Sequence, residues 1–136
     1  MLSPTAARTA LAVIRIINGA AALVAPERLL ARLGVDTTRD RSASYPFRMF
    51  GIRTVLIGLD LLVLRGSELR RAETLAVLIH ATDTVSAAVT AARGDLPRRN
   101  GVTATVISAV NTALAVIAWK GSRHAIASHE VVPQDH

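Results

Sequence analysis

Four apolar stretches, each close to the length that crosses a lipid bilayer, carry strongly polar residues near their middles. They run over residues 10–25, 47–64, 74–92 and 102–119. A spanning helix needs roughly 20 mainly apolar residues, with a range of about 17–25. All four are read as spans, the first and second only with their charged residues counted. The first holds Arg15 and Asn18, the second Arg53 and Asp60, the third His80 and Asp83, and the fourth Asn111. A charge inside an apolar span is costly, so it usually faces the bundle interior or a wet cavity and marks a functional site.

Most of the remaining charge lies outside the spans, at Arg8 and in short connectors: Glu27–Arg41, Arg65–Arg71, Arg93–Arg99 and Lys120–Arg123. This segmentation decides the reading of a mean hydropathy of +0.38, which lies between soluble and multi-pass values. A multi-pass protein of the cell membrane is expected, with the lipid bilayer as its first partner. The net charge of +6 does not point to nucleic acid: the arginines are scattered over every connector, and aromatic residues for stacking make up only 3%. Arginines beside apolar spans fit anionic head groups instead. Cysteine is absent, which excludes disulfides, thiolate zinc sites and a thiol nucleophile. Arg15 inside the first apolar run argues against a cleaved signal peptide and for a retained first helix.

Local signals place the helix ends. Ser3-Pro4 suits a helix start, with Ser as cap and Pro at the first position. Pro26 ends or kinks that helix. Residues 26–35 read as a short amphipathic helix, with Leu29, Leu30 and Leu33 on one face and Gly34 as its stop. Such a segment suits the membrane interface. The next helices are expected from about Pro46 to Gly66 and from Ser67–Arg70 to Gly94. Pro97 and Gly101 break the following loop, and the last helix is expected to stop at Trp119-Lys120-Gly121. The fold class is therefore all-α: an antiparallel four-helix transmembrane bundle with a short interfacial helix after the first span. Residues 1–121 form one membrane domain and 122–136 a polar, mobile tail. Gly19 with Ala22 and Gly51 with Gly58 are expected to let helices approach closely. Positive charge falls on both sides of the membrane, so orientation is not fixed by it.

Helical spacing organises the polar residues. Arg53 and Asp60, seven apart, are nearly aligned two turns from each other. His80, Asp83 and Thr84 share a face, as do Arg15 and Asn18. All lie near mid-span, so an antiparallel bundle is expected to bring them to similar depth. Two readings follow: a lock on helix register, or the lining of a functional cavity. Asp60 and Asp83 are the expected acid/base pair, Arg53 their orienting cation, and His80 polar support. Arg15, Asn18, Thr84 and Asn111 are the expected ligand-binding residues. One intramembrane histidine without cysteine makes a poor metal site, and no cofactor motif is present. Glu73 reads as an interfacial residue near a helix start.

Arg15-x-x-x-Gly19, Ala25-Pro26, Phe50-Gly-Ile-Arg53 with Gly58 beyond it, and Asp83 together resemble a domain of unknown function. That group comprises small four-helix integral membrane proteins of actinobacteria and fungi, loosely similar to DoxX-like proteins. The resemblance covers about Ala10–Trp119 and implies a fold and a membrane setting, with no agreed activity. Thr54 stands where relatives often carry an Asp after the Arg.

The function expected first is a membrane-embedded site for a small lipophilic molecule. It would bind that molecule or transform it by acid/base chemistry such as epoxide opening, cyclisation or isomerisation, as two carboxylates with separated proton affinities allow. An Asp–Arg–Asp trio is also similar in residue type to limonene-epoxide-type hydrolases, on an unrelated fold. The competing expectation is a non-catalytic membrane subunit, or a homodimer, whose buried polar residues lock helix packing.

Overall fold

The computed structural model describes residues 2–38 and 41–130, and its regular elements are five helices: α1 (Pro4–Val24), α2 (Pro26–Arg32), α3 (Ser44–Val63), α4 (Gly66–Arg93) and α5 (Arg98–Glu130). No strand occurs among the described residues.

The expected punctuation operates. The Ser3 hydroxyl accepts from the Ala6 amide at 3.2 Å, with Pro4 in the first turn where its missing N–H costs nothing. Pro26 separates α1 from α2, and Gly34 (φ 89°) closes α2, its amide donating to Ala31 and that of Val35 to Leu30. Gly94 (φ 75°) caps α4 in the same left-handed conformation.

Gly121 does not stop α5. The helix continues to Glu130, and its last turn before His124 is held by the carbonyl of Lys120, 2.8 Å from Nδ1 of His124. An isolated glycine costs a helix only about 1 kcal/mol, and here the missing side chain lets Pro4 of α1 pack against α5. Residues 122–130 of the expected tail are thus helical; the rest of it, 131–136, lies outside the described residues.

Two intimate helix pairs make the core. A Cβ added at Gly19 would lie 2.7 Å from the Gly51 carbonyl oxygen and 2.8 Å from the Val55 amide nitrogen. One added at Gly58 would meet the Ala12 carbonyl at 2.8 Å. Backbone therefore touches backbone along α1 and α3, which run in opposite directions, as small-residue packing allows. α4 and α5 pair likewise, through Thr84 with Thr112 at 2.9 Å and Trp119 with Thr74 at 3.2 Å. α1 joins the pairs by also packing on α5, whereas α3 and α4 touch little.

The distribution of side chains is inverted relative to a water-soluble bundle. The buried hydrophobic residues are mostly alanines, with Leu11 and Leu61 the largest among the fully enclosed, and they share the interior with Arg15, Thr54, Glu73, His80 and Asn111. Large apolar residues such as Ile17, Leu56, Leu78, Val85 and Val106 point outward and are half or more exposed. Contiguous exposed apolar surface of this extent marks a membrane or protein interface. α1, α4 and the Arg98–His124 part of α5 are each long and apolar enough to cross a membrane. α3 is 20 residues long but carries Arg48, Arg53 and Asp60.

Candidate functional site

Residues of α1, α4 and α5, with α2 and the start of α3, line a cleft of about 490 Å³. Its polar lining is Arg15 and Asn18 from α1, Arg32 from α2, Asp83 and Ser86 from α4, and Asn100, Thr103, Ser108 and Asn111 from α5. Its apolar lining includes Ala22, Leu29, Leu33, Phe47, Phe50 and Ile107. α2 closes one end, and the Asn100 side-chain amide fastens it by donating to the Arg32 carbonyl at 3.0 Å.

The chemical centre is an ion pair. Arg15 Nη2 lies 3.8 Å from Asp83 Oδ2, the arginine side chain 5% exposed and the aspartate 31%. Neither Nε nor Nη2 of Arg15 has a hydrogen-bond partner. A guanidinium has five donors in a fixed fork; in this one, which borders the cleft, Nε and Nη2 lie enclosed with no acceptor closer than the Asp83 ion-pair contact. Buried polar groups are normally hydrogen-bonded, which makes these free donors informative. His80 is fully enclosed on the same side of α4, and neither ring nitrogen has a partner; the Thr54 hydroxyl on α3 is likewise unpaired. Thr84 does not line the cleft. Its hydroxyl bridges to the His80 carbonyl at 2.8 Å and to Thr112 at 2.9 Å, tying α4 to α5.

Five of the expected site residues thus gather on one side of the molecule, with Arg15, Asn18, Asp83 and Asn111 lining the cleft and His80 enclosed beside it. Arg53 and Asp60 do not join them. Both are exposed on α3, and the physical reason is helical phase. Each stands two positions after a glycine that faces α1, and two residues turn a helix by about 200°. Expected to share a depth and a cavity with Asp83, they instead look away from α1. Arg53 stays near the cleft wall beside Phe50, whose ring centre is 6.0 Å from its guanidinium carbon. The paired carboxylates Asp60 and Asp83 are therefore not brought together.

A second polar contact lies at the other end of the helices. Glu73, expected at an interface, is 2% exposed, 4.0 Å from Arg8, and its Oε2 is unpaired. Pro4, Thr5, Gly121 and Ser122 complete a smaller cavity of about 260 Å³ there. The signal was present in the sequence as Arg8 and Glu73 at the ends of two apolar runs, but nothing in either run sets their partner. No group of three or more His, Cys, Asp or Glu suited to a metal ion occurs among the described residues.

Outside the spans, α2 is pinned electrostatically. Glu27 is held below its ordinary carboxylate range, first by a hydrogen bond from its own backbone, then by the nearby Arg48 and Arg41. Arg48 Nη2 is 3.7 Å from Glu27 Oε1.

The family model described as a domain of unknown function, DUF4267, matches residues 12–124. The chain belongs to this family. The match takes in every cleft-lining side chain named above and both charged residues of the outer α3 face. No curated protein and no solved structure matches the chain.

Proposed function

We propose that this member of the DUF4267 family is a multi-pass protein of the cell membrane that binds a small lipophilic molecule bearing a hydrogen-bond acceptor. The membrane setting is supported by the inverted packing and by three helices of spanning length and composition. α3 is read as a fourth span because its backbone lies against α1 from Ala12 to Leu23 and must share its depth. This gives an antiparallel four-helix transmembrane bundle, akin to the DoxX-like proteins its motifs resemble. α2 lies at the membrane interface, with Leu30 buried and Arg28 exposed.

The single observation that carries the binding reading is the buried Arg15 in the wall of a mainly apolar cleft, in a long ion pair with Asp83 and with no hydrogen-bond acceptor at Nε or Nη2. An apolar pocket with a few convergent polar groups is the usual form of a small-molecule site. Arg15 would receive the acceptor, Asn18 and Asn111 would orient it, and Leu29, Leu33 and Phe50 would hold the hydrocarbon body. A transformation by acid/base chemistry, such as epoxide opening, cyclisation or isomerisation, would rest on Asp83 with His80 behind it rather than on two carboxylates.

The test is mass spectrometry of organic extracts from protein purified out of its own membranes. A lipophilic compound is expected with the wild-type chain and at least tenfold less with Arg15→Gln. Equal recovery from the two would overturn the assignment.

A second reading is a non-catalytic membrane subunit whose polar residues only fix helix packing. The Thr84–Thr112 bridge favours it, since that pair joins α4 to α5 outside the cleft lining. Under this reading Arg15→Gln lowers stability and no compound is recovered from either protein.

A further inference from the structure

The outer face of α3 carries a regular seam. Tyr45, Met49, Ile52, Leu56, Leu59 and Val63 recur at alternating steps of four and three residues, and each is 42–72% exposed. That is the a/d spacing by which one helix packs against another. Arg53 and Asp60 each follow a d residue, so they occupy successive e positions flanking the seam. Neither has an ion-pair partner within the protomer among the described residues. On the membrane reading, both charges would otherwise face lipid, which is costly enough that such residues nearly always find a partner.

The two charges are also placed symmetrically. Arg48 and Arg65 bound the apolar run of α3, and Arg53 and Asp60 each lie five positions inside one of them. A two-fold axis level with Leu56 and Ile57 therefore maps Arg53 onto Asp60 while keeping the two apolar runs at one depth. Side-by-side helices bring e against e only when they run antiparallel; in a parallel pair, e meets g. The g positions here are Arg48, Val55 and Leu62, so a parallel pair would set Arg53 against Arg48 and leave Asp60 without a cation.

We propose that a second copy of this chain docks antiparallel on the outer face of α3, with Arg53 of each copy against Asp60 of the other. The arrangement is isologous, as a two-fold interface requires, and it rests on the membrane reading above. It demands that the chain insert in both orientations. The charge distribution permits this: of sixteen basic residues, Arg15 and Arg53 lie deep within spans, six fall in sequence at the end holding both termini and eight, counting Arg48 at the edge of its span, at the other. Orientation follows an excess of Lys and Arg on one side, and no strong excess exists.

The chain has no cysteine, so single introduced thiols report the interface cleanly. Oxidation in native membranes is expected to link Leu56→Cys to itself, because that position lies near the axis. Met49→Cys alone and Val63→Cys alone should not link, whereas co-expressing the two should. Self-linkage of all three would show a parallel pair and overturn the proposal, as would no linkage of Leu56→Cys in protein that stays in washed membranes. Recovery in the soluble fraction would instead defeat the membrane reading itself. The charge pairing is tested in the Leu56→Cys background. Arg53→Asp and Asp60→Arg should each cut linkage at least tenfold, since each then sets like charges together. Co-expression of the two should restore it, because both interfacial pairs become opposite in sign. Failure of that rescue would rule out the Arg53–Asp60 contact.

Discussion

Two pairs of opposite charge sit near the middles of the long helices, in opposite surroundings. Arg15 and Asp83 come from different helices and meet inside the bundle, 3.8 Å apart beside a cleft. Arg53 and Asp60 come from one helix, lie two turns apart and face outward. Their positions along the apolar runs are similar, so depth does not separate them. Phase does: the glycine stripe that lets α3 touch α1 turns the charged stripe to the far side. An inward pair can serve a ligand, while an outward pair in a membrane calls for another protein surface.

The largest effect should come from the stripe that sets this phase. Gly58→Val would push a side chain into the Ala12 carbonyl and Ile16, where backbone cannot yield. Overpacking typically costs about 1–3 kcal/mol and occasionally more; against backbone the upper end is expected, read as a collapse of folded yield in detergent. Leu59→Val, one residue on and partly exposed, should leave yield and melting temperature nearly unchanged. Tolerance of Gly58→Val would break the account of why the two pairs differ.

Removing each aspartate sharpens the contrast. Asp83→Asn strands a buried guanidinium, a change that costs roughly 3–5 kcal/mol for fully buried pairs. Since 31% of the Asp83 side chain is exposed, about 2 kcal/mol is expected, read as a lower thermal midpoint. Asp60→Asn should alter the stability of the single bundle by less than about 0.5 kcal/mol, as surface substitutions do.

Smaller still is Thr84→Val. It removes one interhelical hydrogen bond, and such bonds average about 0.6 kcal/mol in membrane proteins. A loss of that size, with ligand recovery unchanged, would confirm that Thr84 fixes packing and takes no part in the cleft.

The least effect concerns the exposed Glu27–Arg48 contact. Glu27 is more acidic in the folded chain, so its contribution is present above the ordinary carboxylate range and fades as pH falls through its depressed value. Proteolysis near α2 should therefore quicken only in acid, and Glu27→Gln should abolish that pH dependence.

Much of this was legible in residues. Pro26, Gly34 and Gly94 set helix ends by rules that need no tertiary information, and the polar interior was signalled by Arg15, His80, Asp83 and Asn111 in apolar runs. The outward direction of Arg53 and Asp60 was also implicit, because a residue two positions from a contact glycine must face away; choosing which stripe made the contact required the fold. Gly121 misled because a lone glycine costs a helix only about 1 kcal/mol, and the packing of Pro4 against it depends on α1, which no local pattern shows. The burial of Glu73 depended on Arg8 and α5 arriving from distant sequence, which no local pattern encodes.

Native mass spectrometry of Asp83→Asn beside Asp60→Asn reads bound compound and copy number together, and so tests the division between inner and outer charges most directly. Asp83→Asn should remain a dimer and lose the compound, whereas Asp60→Asn should keep the compound and appear as a monomer. Loss of the compound in Asp60→Asn with retention in Asp83→Asn, or identical spectra for the two, would contradict it.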